Sequence, residues 1–171
     1  MRIRSSKVVV FLLTFFILLS QVFTSSFALA DNKVPFTIFH TNDMHGRLGY
    51  EEYKGKPTSF GSAREKALID KEKKENPNRT VIALDAGDAF QGLPASNQSK
   101  GQDMAKAMNE IGYKAMAAGN HEFDFGLDTV EKYKNNTQNG GWLNFPILST
   151  NVYKDGKRLF EPSTIINENG V

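Results

Sequence analysis

The chain has no cysteine, which excludes a disulfide framework and any thiolate metal site. A metal held by this protein must therefore rest on oxygen and imidazole nitrogen. Histidine is scarce, with three in 171 residues. No internal repeat, low-complexity tract or interdomain linker breaks the sequence, and its length suits one domain. Excess charge of one sign is also missing. The 21 Lys and Arg stand against 19 Asp and Glu, and three of the basic residues, Arg2, Arg4 and Lys7, fall in a leading segment that carries no acid. Without them 18 basic residues face 19 acidic ones, a net charge of −1. A groove for a nucleic-acid polymer needs clustered Lys and Arg, so that class of partner is excluded.

The leading segment, residues 1–30, reads as a secretory signal. Basic residues precede an apolar run from Val8 to Leu19, and Ala28-Leu29-Ala30 matches the small-x-small pattern read by signal peptidase, with cleavage expected before Asp31. The run is shorter than the roughly 18 to 20 residues of a spanning helix, so no transmembrane segment is expected after cleavage. The expected location is secreted, periplasmic or cell-surface. At the other end Ser163 to Glu168 reads as a strand, and Asn169-Gly170 is a strong hairpin signal. A hairpin turn without its returning strand leads to the expectation that residues 31–171 are the amino-terminal part of a longer protein.

Between these ends the pattern alternates. Pro35 to Thr41 has the β-branched and aromatic content of a strand with apolar residues on both faces, expected to lie inside a sheet. Arg47 to Phe60 lacks a period and reads as a loop. Ser62 and Glu65 have the spacing of a capping box for a charged helix from Arg64 to Glu75, with Ala63, Ala67 and Leu68 as its thin apolar stripe. Thr80 to Leu84 is a continuous apolar strand, and Phe90 to Gly101 a loop on the rim of a cleft. Met104, Ala107, Met108 and Ile111 recur at helical spacing up to Gly112. A strand from Tyr113 to Ala118, a helix from Gly126 with Val130 and Tyr133 inward, a strand from Phe145 to Asn151 and a turn at Asp155-Gly156 complete the pattern. Strand, helix, strand in succession favours parallel pairing with right-handed crossovers, hence an α/β class.

Three of these strands end in polar clusters: Asp43-Met44-His45, Asp85-Ala86-Gly87-Asp88 and Gly119-Asn120-His121-Glu122-Phe123-Asp124. Parallel strands deliver the residues at their carboxyl ends to one cleft. A carboxylate and an imidazole two residues apart can bind one divalent cation, Asp88 from the neighbouring strand can bridge two, and the Asn120 amide oxygen suits the second. Such mixed ligands fit zinc, manganese, iron or cobalt. Two ions together would acidify a bridging water for attack on a phosphoryl group. Structural roles compete at some positions: Asp85 as a turn cap, Glu122 as a partner of nearby backbone, His40 as a residue packed within the sheet.

The strings Phe39-His40-Thr41-Asn42-Asp43-Met44-His45-Gly46, Leu84-Asp85-Ala86-Gly87-Asp88 and Gly119-Asn120-His121-Glu122-Phe123-Asp124, in this order, resemble the calcineurin-like metallophosphoesterases, and in particular their secreted 5′-nucleotidase branch. The resemblance implies a β-α-β layered metallophosphoesterase domain, a four-layer αββα sandwich when complete. It implies two divalent metal ions, with Asp43 and His45 on the first, Asp88 bridging, and Asn120 on the second. His121 matches the family's catalytic histidine and Asp124 the carboxylate that orients it. Further histidine ligands and a carboxyl-terminal nucleotide-binding domain are expected beyond Val171. The implied reaction is hydrolysis of nucleoside 5′-monophosphates for salvage. A 2′,3′-cyclic nucleotide 2′-phosphodiesterase or nucleotide-sugar hydrolase shares these motifs, and a non-catalytic secreted binding protein is the alternative of another class.

Overall fold

Runs of β-branched residues alternating with short amphipathic helices set the architecture, a parallel sheet with helices packed on it. A computed structural model describes residues 33–134 and 137–170; the expected signal at 1–30 lies outside them. Strand β1 (Phe36–Thr41) leads into a hairpin of β2 (Glu51–Tyr53) and β3 (Lys56–Ser59), helix α1 (Ser62–Glu75) and strand β4 (Thr80–Asp85). Helices α2 (Pro94–Gln98) and α3 (Gln102–Ile111) precede β5 (Tyr113–Ala117), a 3-10 turn at His121–Phe123 and helix α4 (Leu127–Lys134). Strands β6 (Ile147–Leu148), β7 (Tyr153–Lys154) and β8 (Lys157–Arg158) follow.

The main sheet has the order β1-β4-β5-β6, with every adjacent pair parallel. Because the strands run the same way, the segments leaving β1, β4 and β5 emerge at one edge, which puts the three polar clusters side by side. The core lies under the sheet: Met104, Ala105 and Met108 of α3 and Val130 and Tyr133 of α4 are fully buried, joined by Ile69, Val81, Met116 and Ile147. Gly112 ends α3 in the left-handed conformation, φ 92°, which lets the chain reverse directly into β5. Phe90 stacks on Tyr133 at 4.1 Å between ring centroids, tying the exit of β4 to α4. Among the described residues no helix is long and apolar enough to cross a membrane.

Several expectations give way to the structure. Strand β1 is at the sheet edge among the described residues, leaving Phe36 45% and Ile38 53% exposed, and His40 is exposed rather than packed within the sheet. Residues 51–59 form a hairpin where a loop was expected; its turn uses Lys54 and Gly55, both at positive φ, a pair that lacks the usual Asn-Gly or Asp-Gly signal. The capping box does not form: the cap of α1 is Gly61 without a side-chain bond, Ser62 Oγ is buried without a partner, and Glu65 turns to Tyr113 instead. Within α1 the buried residue is Ile69, while Leu68 is 54% exposed. The rim segment contains the short helix α2, begun by Pro94 at its first turn. The strand expected from Phe145 to Asn151 shortens to Ile147–Leu148 behind Pro146, and residues 163–168 form no strand, with Ile165 88% exposed. The turn at Asp155-Gly156 joins β7 to β8 as expected.

The contrast within α1 is measurable by urea unfolding. Ile69→Ala leaves a cavity and is expected to lower stability by about 2–5 kcal/mol, whereas Leu68→Ala is expected to stay within about 1 kcal/mol; equal losses would mean that the helix faces the core by its sequence stripe.

Candidate metal centre

Pairing between β1 and β4 does not stop where the strands stop. Thr41 and Asp85 are partners in register, and beyond them the two exits zip together through backbone bonds: Ala86 N–H to Thr41 O at 2.8 Å, Asp43 N–H to Gly87 O at 2.9 Å, His45 N–H to Asp88 O at 2.9 Å and Gly46 N–H to Ala89 O at 2.8 Å. The zip forces Asp43, His45 and Asp88 into positive φ, at 52°, 48° and 58°. Left-handed backbone costs a non-glycine residue about 1–2 kcal/mol, and three such residues at one edge point to a functional constraint. The third bend presses against the second: a Cβ on Gly119 would lie 2.3 Å from Asp88 Oδ1, so only glycine admits this approach.

The side chains then converge. His45, Asp88 and His121 each offer a ligand atom within 4.8 Å of the others, and Asp43 Oδ1 stands 3.8 Å from His45 Nε2. A carbonyl accepts only, so the 2.9 Å contact to Gln91 O makes His45 Nδ1 the donor. Nε2 is left with its lone pair toward the site, as a metal ligand requires. On the third bend His121 N–H donates to Asp88 Oδ1 at 2.8 Å, and His121 Nδ1 lies 2.7 Å from Asp124 Oδ2. The hydrogen bond that Nδ1 donates to Asp124 pushes the His121 pKa up, against the smaller effect of burial, with the charges of Asp124, Asp88 and Glu122 adding to the rise. Asn120 occupies the bend between Gly119 and His121 with its side chain exposed. The Asp43 and Asp88 carboxylates beside the His45 imidazole, its other nitrogen tied, suit a divalent cation.

Two acids have structural roles. The fully buried Glu122 carboxylate accepts the amides of Asp88 at 2.9 Å, Ala89 at 2.9 Å and Gly119 at 2.7 Å, clasping the β4 exit to the β5 exit. Burial raises its pKa although the three amides oppose the shift. Asp85 caps its own turn through Gly87 N–H at 2.8 Å and accepts the Thr41 hydroxyl at 2.6 Å. The Gln91 carbonyl has no counterpart in the sequence reading, since any residue supplies a carbonyl and only the fold places it. Beside Asp43 and His45 a cavity of about 700 Å³, reaching Arg47 and Phe60, opens to solvent, within the size range of small-molecule sites.

Removing the clasp has a calculable direction. Glu122→Ala strands three amides and is expected to cost about 3 kcal/mol or more in urea unfolding, with Glu122→Gln intermediate because it keeps one acceptor oxygen; a loss under about 1 kcal/mol for Glu122→Ala would remove the clasp from the account.

Comparison with known proteins places this geometry. The calcineurin-like phosphoesterase family model matches residues 36–170. The chain is 40% identical over 146 residues to a 5′-nucleotidase of Vibrio parahaemolyticus, covering 83% of this chain and 24% of that protein. It is 36% identical over 169 residues to protein UshA of Escherichia coli, covering 95% of this chain and 28% of that protein. A solved 5′-nucleotidase precursor from Thermus thermophilus superposes with a TM-score of 0.62 at 34% identity, over 78% of this chain and 26% of that one. The chain thus spans about a quarter of the length of these relatives. A parallel sheet whose strand exits gather the aspartates and histidines, matched from β1 nearly to Val171, makes the chain a member of the calcineurin-like phosphoesterase family.

Proposed function

We propose that the protein containing this chain hydrolyses phosphate esters of nucleotides, with nucleoside 5′-monophosphates as substrates, outside the cytoplasm. The observation that carries this reading is the meeting of His45, Asp88 and His121 at one point from three separate bends. Similarity to the Vibrio and Thermus 5′-nucleotidases supports the substrate class. Asp43 and His45 would hold one divalent ion, Asp88 would bridge to a second, and Asn120 would bind that second ion. When bound, the pair supplies an acidified water and a clamp for the phosphoryl oxygens.

The chain's own residues do the rest. His45 is locked in the tautomer that leaves Nε2 basic by its bond to Gln91 O. Asp124 holds His121 Nδ1 and raises its pKa, which favours the doubly protonated ring whose Nε2–H can donate into the site. A cationic imidazole aimed at the phosphoryl oxygens opposes the negative charge that grows during attack. Asp124 is a positioning residue, fixing ring and tautomer. The Glu122 clasp and the backbone zip hold these groups in place before substrate arrives, which is where catalysis by preorganisation gains its advantage.

In the full-length protein, His121→Ala is expected to lower AMP hydrolysis by about 10²–10³-fold in kcat with the circular dichroism spectrum unchanged. Retained activity would contradict the assignment, and unchanged turnover of AMP alongside faster turnover of a nucleotide sugar or a 2′,3′-cyclic nucleotide would move the substrate class. Chelation is expected to abolish activity and manganese or zinc to restore it. Residues 31–171 alone give one ion three ligands and the other two, and are expected to show no metal-dependent phosphatase turnover.

A further inference from the structure

Beneath the site runs a chain of oxygens that neither the metal nor His121 uses. Asp85 Oδ2 lies 2.6 Å from Thr41 Oγ1, Thr41 Oγ1 lies 2.6 Å from the Tyr113 hydroxyl, and that hydroxyl bonds Glu65 Oε1. The chain joins four elements: Thr41 closes β1, Asp85 closes β4 and Tyr113 opens β5, while Glu65 reaches in from α1. It is sheltered, with Tyr113 3% and Asp85 5% exposed. Three oxygen-to-oxygen contacts at or inside hydrogen-bond distance each need a proton between them, yet the two hydroxyls bring one each. With Thr41 donating to Asp85 and Tyr113 donating to Glu65, nothing is left between the hydroxyls, and two oxygens that close would repel.

We propose that Glu65, Tyr113, Thr41 and Asp85 form a relay that holds one proton beyond those of its hydroxyls, one end carboxyl being a neutral acid at pH 7, and that this relay positions the metal-binding bends. The proton lets all three contacts form in one direction, from Glu65 through Tyr113 and Thr41 to Asp85, which accepts. Burial pushes Glu65 above the usual carboxylate range; Asp85, pushed up to about 6, is mostly ionised at pH 7 and forms the accepting end. The charges acting on the relay are acidic: Glu122 and Glu65 on Asp85, and Glu65 and Asp85 on Tyr113. Each favours retention of a proton.

The positioning follows from where the members sit. Thr41 is two residues before Asp43, and Asp85 fixes Gly87 N–H on the way to Asp88. The Tyr113 hydroxyl also touches Met44 Sδ at 3.9 Å, between the two ligands of the first bend. A relay bolted under both bends holds their spacing, as partners behind metal ligands do. This part rests on the metal reading given under Proposed function; the proton count does not.

The test uses the full-length protein. Infrared spectra of the metal-free form at pH 7 are expected to show a protonated-carboxyl carbonyl band that is lost in Glu65→Gln. A band intensity unchanged in Glu65→Gln overturns the proton. For the positioning, Tyr113→Phe is expected to weaken Mn²⁺ binding by calorimetry about tenfold or more. Glu65→Gln, whose amide can donate to Tyr113 as the neutral acid does, is expected to stay within about twofold. Wild-type Mn²⁺ affinity in a folded Tyr113→Phe protein overturns the positioning role. If Tyr113→Phe fails to fold, Glu65→Ala takes its place, again with about tenfold weaker binding expected beside an intact Glu65→Gln. A wild-type protein that binds no Mn²⁺ removes the metal reading and the positioning with it, while the infrared band decides the proton on its own.

Discussion

The site depends on one buried carboxylate. Glu122 takes three backbone amides from two different strand exits, adding to the bond from His121 N–H to Asp88 that also joins the Asp88 bend to the Gly119 bend. Buried amides must be paired or they cost stability, so the clasp satisfies a backbone requirement and a geometric one at once. It also explains why the neighbouring positions are so restricted. Gly119 has no room for a side chain against Asp88, and Asp88 is held at positive φ while the bend closes over it.

The β1 exit is held differently, by main-chain bonds that extend the parallel ladder into the turns. Strain is concentrated in the two exits that this ladder joins. Three non-glycine residues in the left-handed region are tolerated because the ladder on one side and the Thr41, Asp85 and Tyr113 contacts beneath overdetermine the backbone. Rigid supports below and converging polar side chains above are what a site needs when its chemistry depends on the spacing of charges.

Much of this was legible in the sequence, and for identifiable reasons. Parallel pairing followed from the alternation of strands and helices, and the site followed from polar clusters recurring after strands, since strand direction alone gathers them. Glu122 and Asp85 were open to backbone roles because acids beside glycines in turns so often take them. What stayed hidden depended on contacts between distant segments. Glu65 has the spacing of a helix cap, yet Tyr113, 48 residues away, claims it; local pattern carries no trace of that competition. The edge position of β1 was likewise invisible, because residues apolar on both sides say nothing about which neighbours are present.

The central claim is that three strand exits build one site for a pair of divalent ions. Anomalous diffraction from crystals of the full-length protein grown with Mn²⁺ tests it most directly. The account predicts two peaks about 3.5–4 Å apart, one against Asp43 and His45, the other against Asn120, with Asp88 touching both. Peaks that leave Asp88 without an ion, or that lie away from these bends, would contradict it.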